Sequence, residues 1–200
     1  MNRFVATLVA LISITSAHAA GDPAKGQAIV SKVCAACHGF DGNSFLAVNP
    51  SLSGQHEEYL LKQLTEFKSG ARNNPVMAGM VASLSADDMR NLAAYYASQT
   101  PKLMGAKDKD LVAQGRKLYR GGNPATGVAA CAGCHSPNGA GIPAQYPRLA
   151  SQHAEYVAAQ LKAFRAGDRA NDPAQMMQST AGKLSDKEIA ALAEYISGLH

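Results

Sequence analysis

The chain lacks most of what would commit it to nucleic acid, to a membrane interior or to a sheet. Charge of one sign is scarce: nineteen Lys and Arg stand against fifteen Asp and Glu, and the formal net charge of +4 is scattered. Such a balance is too mild for a nucleic-acid surface. Past the N-terminal stretch there is no second long apolar run, so no downstream segment reads as a membrane span. No segment alternates convincingly as strand. Cysteine is limited to four residues, confined to two short stretches, a poor framework for structural disulfides. With 46% of its residues hydrophobic, the chain has enough apolar material for a core without them.

What is present begins with an address. Met1-Asn2-Arg3 is a short basic start, residues 4–15 are largely apolar but too few for a stable span, and Ala17-His18-Ala19 fits a small-x-small cleavage signal. Residues 1–19 are expected to be an export signal, with the mature chain starting at Ala20.

The four cysteines lie in two copies of one pentapeptide, Cys34-Ala35-Ala36-Cys37-His38 and Cys131-Ala132-Gly133-Cys134-His135. This is the C-x-x-C-H signature of covalent haem c attachment. Two thiols must add to the vinyl groups on one porphyrin edge, and the next residue must offer an imidazole to the iron, so one helical turn serves both tasks. A thioredoxin-like pair would need a βαβ setting that the Ala-rich helical surroundings do not supply. A four-cysteine zinc site would leave both histidines unexplained. Two covalent haem c groups are therefore expected, held by Cys34, Cys37, Cys131 and Cys134, with His38 and His135 as iron ligands.

An internal repeat divides the chain. At an offset of 97, Pro50 matches Pro147, Gln55-His56 matches Gln152-His153, and Tyr59, Gln63 and Phe67 match Tyr156, Gln160 and Phe164. Farther on the offset becomes 100, pairing Leu84-Ser85 with Leu184-Ser185 and Tyr95 with Tyr195. Two tandem domains are expected, over 20–100 and 111–200, joined by a linker over 101–110 that opens on a helix-stopping proline and has no apolar periodicity. Each half reads as mostly helix. Asp22-Pro23 opens the first helix, a second runs from about His56 to Ser69 and stops at Gly70, and a third begins at Ser85 with Asp88 in a capping box, matched by Ser185 and Glu188.

The sixth iron ligand must come from downstream. Candidates are Met77, Met80 and His56 in the first half and Met176, Met177 and His153 in the second. At the offset of 100, Met77 falls on Met177, whereas Met80 falls on Thr180 and Met176 on Val76. Met77 and Met177 are therefore the expected ligands. His56 and His153 also match, which leaves bis-histidine ligation as the alternative; each otherwise reads as an exposed polar residue near a helix start.

The mature chain resembles the cytochrome c4 family of periplasmic dihaem cytochromes. The resemblance is carried by Cys34-Ala35-Ala36-Cys37-His38-Gly39 with Asp41-Gly42-Asn43-Ser44, by Leu111-Val112-Ala113-Gln114-Gly115, by Tyr119-Arg120-Gly121-Gly122, by Cys134-His135-Ser136-Pro137 and by the closing Tyr195-Ile196-Ser197-Gly198-Leu199-His200. It implies an all-α fold of two cytochrome c-like domains related by a pseudo-two-fold, with haem propionate edges facing one another, and a periplasmic location. It also implies redox protein partners, a quinol-oxidising complex or other donor and a terminal oxidase as acceptor, with peripheral membrane association left open. In class I cytochromes c a proline twelve residues after the ligand histidine accepts a hydrogen bond from its ring, and this role is carried to Pro50 and Pro147. Eight extra residues between Gly115 and Cys131, within residues 119–130, depart from the repeat without an assigned role.

Ligation by His and Met at both irons would leave no open position for substrate, so the chain reads as a carrier and not an enzyme. The other readings are a small dihaem peroxidase, which needs an open iron, and the cytochrome subunit of a flavoprotein dehydrogenase complex. Residues 20–100 carry six basic and seven acidic side chains and residues 111–200 nine and six, a dipole suited to orienting a short-lived redox encounter.

Overall fold

The chain enters each half on a capped helix. The structure, a computed structural model, describes residues 20–144 and 146–200; the export signal expected over 1–19 lies outside them. Asp22 accepts from the amides of Ala24 and Lys25, with Pro23 at the first helical position, and starts α1 (Pro23–Ile29). A π-helical turn (Val30–Cys34) and a short α2 (Ala35–His38) carry it through the first pentapeptide. There follow α3 (Glu57–Ser69), α4 (Pro75–Val81) and α5 (Ala86–Ala97). The second half repeats the plan with α6 (Lys109–Gly121), α7 (Ala132–His135), α8 (Ala154–Ala166), a 3-10 turn (Pro173–Gln175), α9 (Met176–Ala181) and α10 (Asp186–Ser197).

The expected stops and starts are in place. Gly70 and Gly167 end α3 and α8 in the left-handed conformation, at φ 81° in each case. Ser85 with Asp88, and Ser185 with Glu188, form complete capping boxes. The short helices α4 and α9, which carry Met77 and Met177, are elements that apolar periodicity did not mark. Lys109 and Asp110, in the stretch read as linker, already belong to the first turn of α6.

Each half is held by its first and last helices crossing on a glycine. A Cβ at Gly26 would meet the Asn91 carbonyl and the Tyr95 side chain; a Cβ at Gly115 would meet the Ala191 carbonyl and the Tyr195 side chain. Only hydrogen at these positions lets the backbones approach so closely. Around the crossings lie two separate cores. Val30, Val81, Leu92 and Ala93 are buried in the first, Tyr119, Ile189, Leu192 and Ala193 in the second. Each fully buried leucine or isoleucine contributes about 1.5–3 kcal/mol.

The extra residues of the second half have a local role. Where α1 runs on through the π turn to Cys34, α6 stops at Gly121, and the chain makes a turn closed by Asn123 N–H to Val128 O at 2.9 Å and Val128 N–H to Asn123 O at 3.0 Å. Val128 is buried in the second core, and Asn123 Nδ2 donates to Glu188 at 3.0 Å, tying the turn to the α10 capping box.

The linker is fastened at both ends. Asn43 donates to Thr100 O at 3.1 Å and accepts from Lys102 N–H at 2.8 Å; Met104 N–H donates to Ser151 Oγ at 3.3 Å and Asp108 N–H to Glu194 at 2.8 Å. Between the halves the hydrogen bonds are reciprocal. Arg72 donates to Tyr156 Oη and Gln160 Oε1 at 3.0 and 2.8 Å, while Arg169 donates to Tyr59 Oη and Gln63 Oε1 at 3.1 and 3.2 Å. Each guanidinium stacks on a phenylalanine of its own half, Arg72 on Phe67 at 4.5 Å and Arg169 on Phe164 at 4.4 Å. The two halves therefore meet about a pseudo-two-fold.

Candidate haem-binding sites

Each pentapeptide sits at the end of a short helix that stops at its histidine. Gly39 (φ 77°) and Ser136 (φ 67°) turn the chain away directly after His38 and His135. Cys34 and Cys131 are half-buried against the two cores, Cys37 and Cys134 are exposed, and none of the four is in a disulfide. Burial pushes the Cys34 thiol up and brings that of Cys131 to about 11. A redox-active C-x-x-C needs its first thiol depressed, and here it is raised. Among the described residues no three His, Cys, Asp or Glu side chains converge as a metal cluster, and the two cysteine pairs stand in separate halves.

His38 and His135 are buried, at 8% and 6% exposure. The Nδ1 of His38 lies 2.9 Å from Pro50 O and that of His135 lies 3.0 Å from Pro147 O. A carbonyl can only accept, so Nδ1 carries the proton and Nε2 keeps its lone pair. Burial lowers both imidazole pKa values, outweighing the upward pull of these hydrogen bonds, and so favours the neutral ring that a metal ligand needs.

The methionines separate by environment. Met77 packs against the first core, and its amide donates to Asn74 Oδ1 at 3.0 Å; the Met177 amide donates to Asp172 Oδ2 at 2.7 Å. Met80 and Met176 are 46% and 39% exposed. His56 and His153 are the N-caps of α3 and α8 and are half-buried at the interface, so the expectation of exposed polar residues fails for both. His153 Nε2 is 2.8 Å from Ser44 O of the other half.

Sequence reasoning did not find the interface arginines or the caps Asn74 and Asp172. Arg72 and Arg169 keep the offset of 97 and were detectable as a continuation of the repeat. Asn74 and Asp172 stand at different distances before their methionines and leave no common spacing.

The residues fit a haem in each half. Paired cysteines precede a buried imidazole oriented by a proline carbonyl, and a half-buried methionine lies downstream. Three buried side-chain atoms able to donate, His56 Nε2, Tyr96 Oη and Arg148 Nε, have no hydrogen-bond partner among the described residues. An anionic carboxylate such as a haem propionate is an acceptor of the kind they lack.

The family model described as Cytochrome c matches the chain twice, over residues 23–100 and 112–200. Cytochrome c4 of Pseudomonas aeruginosa is 51% identical, with all of both chains covered. The solved structure of reduced recombinant cytochrome c4 from Pseudomonas stutzeri is 47% identical and superposes with a TM-score of 0.87, covering 90% of this chain and all of that one. A thiosulfate dehydrogenase electron acceptor of Thiomonas intermedia is 37% identical over 96% of this chain and 88% of its own. With two repeats that each match a cytochrome c, and full-length likeness to dihaem relatives, the chain belongs to the cytochrome c4 family of electron carriers, with two covalently bound haem c groups.

Proposed function

We propose that Cys34 and Cys37 hold one haem with His38 and Met77 as axial ligands, that Cys131 and Cys134 hold the other with His135 and Met177, and that the chain carries electrons to a terminal oxidase. Residues 20–100 and 111–200 are the two carrier domains, and residues 1–19 direct export to the periplasm. When bound, each haem supplies a one-electron iron couple, which a thioether ligand keeps at high potential.

The observation that carries this reading is the pairing of the two methionines. Each begins a turn of a short helix with its own amide tied to a side-chain oxygen, Asn74 for Met77 and Asp172 for Met177. That bond fixes the backbone from which the thioether extends. Pro50 and Pro147 orient the opposing imidazoles through their carbonyls. With a histidine and a methionine both given to the iron, neither half would offer a place for a substrate there, and this supports a carrier over a peroxidase.

The test uses exported holoprotein, reduced and mixed with membranes containing a terminal oxidase. Oxidation that slows as ionic strength rises is expected, because the halves differ in net charge. Membranes that consume oxygen with another donor but leave this protein reduced overturn the oxidase assignment. The relative named as a thiosulfate dehydrogenase electron acceptor favours a second reading, in which a dehydrogenase is the donor. Reduction by thiosulfate with a purified thiosulfate dehydrogenase, faster than by a quinol-oxidising complex, supports that donor.

A further inference from the structure

In each half a single peptide group joins the imidazole of the pentapeptide to the other half. Pro50 O accepts from His38 Nδ1 at 2.9 Å, and the N–H of that same peptide, on Ser51, donates to Gln152 Oε1 at 2.9 Å. Across the pseudo-two-fold, Pro147 O accepts from His135 Nδ1 at 3.0 Å while Arg148 N–H donates to Gln55 Oε1 at 2.8 Å. Both glutamines are buried.

The glutamine amides are held in one orientation. Gln152 Oε1 also accepts from His153 N–H at 3.1 Å, and Gln55 Oε1 from His56 N–H at 3.0 Å. Their Nε2 groups donate to Ser51 O and Arg148 O, each at 2.9 Å. Flipping either amide would set its NH2 against two N–H donors and its oxygen against a carbonyl, so the assignment follows from the network.

Amide resonance couples the two ends of a peptide group. A peptide whose N–H donates has a more negative oxygen, which accepts more strongly, as in any hydrogen-bonded chain in a low-dielectric interior. The imidazole then gives up more of its Nδ1 proton and its Nε2 becomes a stronger donor, which would favour ferric over ferrous iron once haem is bound. Since glutamine is neutral, its field fades quickly with distance, and this one peptide is its principal route to the site.

We propose that Gln152 and Gln55 are positioning residues that tune the axial histidine of the opposite half, Gln152 acting on His38 and Gln55 on His135. The inference rests on the reading of His38 and His135 as iron ligands. It makes the interface part of the redox tuning of both sites: opening it would weaken the basicity of both imidazoles.

The test compares holoprotein carrying Gln152→Met or Gln55→Met with wild type. One readout is the Nδ1 proton resonances of His38 and His135 in the diamagnetic ferrous state. The other is the two-wave redox titration, with each couple identified in a background of Met77→His or Met177→His. Gln152→Met is expected to move the His38 resonance upfield and raise the N-terminal couple, leaving His135 in place; Gln55→Met is expected to do the reverse. Should Gln152→Met separate the domains or fail to fold, Gln152→Glu keeps an acceptor for Ser51 N–H and is expected to move the His38 resonance downfield; because its charge acts on the couple directly, the resonance alone is read for this variant. A shift confined to the half that carries the substitution, equal shifts in both halves, or none, overturns the proposal. If neither histidine in wild type shows the ring-current displacement of an iron-bound imidazole, the ligand reading fails and the relay with it; if both show it and the substitutions leave them unmoved, the relay alone fails.

Discussion

Arg169 stands over Tyr59 across the domain interface, its Nη2 donating to the phenol oxygen at 3.1 Å. Burial alone would push the Tyr59 phenol up, but the positive charges of Arg169 and then Arg72 outweigh it and hold it below its ordinary value. Arg169→Met removes both the charge and the donor. The phenol is then expected to titrate at higher pH, measured as the ultraviolet difference against Tyr59→Phe. Gln160 also loses a donor, and stability in denaturant should fall by about 1–3 kcal/mol.

Removing one methionine should affect one site. Met77→Ala and Met177→Ala are each expected to remove about half of the weak red thioether-to-ferric absorption and lower one couple, whereas Met80→Ala and Met176→Ala leave the band intact. Loss of the low-spin signal with His56→Ala or His153→Ala, and none with the methionine variants, would favour bis-histidine ligation.

The cysteine pairs should act independently. A double Cys131→Ala, Cys134→Ala variant exported in a host competent for attachment is expected to carry one haem that survives acid-acetone extraction. Intact mass should exceed the polypeptide by one haem, against two for wild type.

The capping boxes set a pH dependence. Hydrogen bonds from the Ser85 side chain and backbone hold the Asp88 carboxyl below its ordinary range, and the Ser185 backbone and then Asn123 do so for Glu188. A depressed carboxyl pKa contributes stability above its unfolded value, lost as pH falls through the folded one. Denaturation midpoints are expected to be flat near neutrality in this respect and to decline below about pH 4. Ser185→Ala should cost about 1 kcal/mol at pH 7, a difference that shrinks in acid.

Filling the helix crossings should be harmful in both halves alike. Gly26→Ala and Gly115→Ala each drive a methyl into a facing carbonyl, and a loss of about 1–3 kcal/mol is expected in thermal or denaturant unfolding of the holoprotein. Gly79→Ala, where a Cβ would meet nothing within 4 Å, is the control.

What could be read from the chain was whatever is local or repeated. The pentapeptides, the Gly70 and Gly167 stops and the Ser85 and Ser185 capping boxes each depend on a few neighbouring residues. The methionines emerged from comparing one half with the other. The helices around them did not, because α4 and α9 are a turn or two long and owe their starts to Asn74 and to the Asp172 region instead of an apolar face. Gln55 and Gln152 were visible as repeated letters, but their partners Arg148 and Ser51 lie 93 and 101 residues away, and no periodicity encodes which backbone amide a buried glutamine will meet.

The double fastening of the linker, to Asn43 on one side and to Ser151 and Glu194 on the other, ties the connecting chain to both halves. With a haem in each half, the distance an electron would cross between them would be set by bonded geometry, not by a diffusive search. Exchange within the chain should be insensitive to solvent viscosity even where encounter with partners is not. With two haems bound, a second electron could be taken up while the first is still aboard, and the chain would serve as a two-place store between donors and acceptors that arrive out of step.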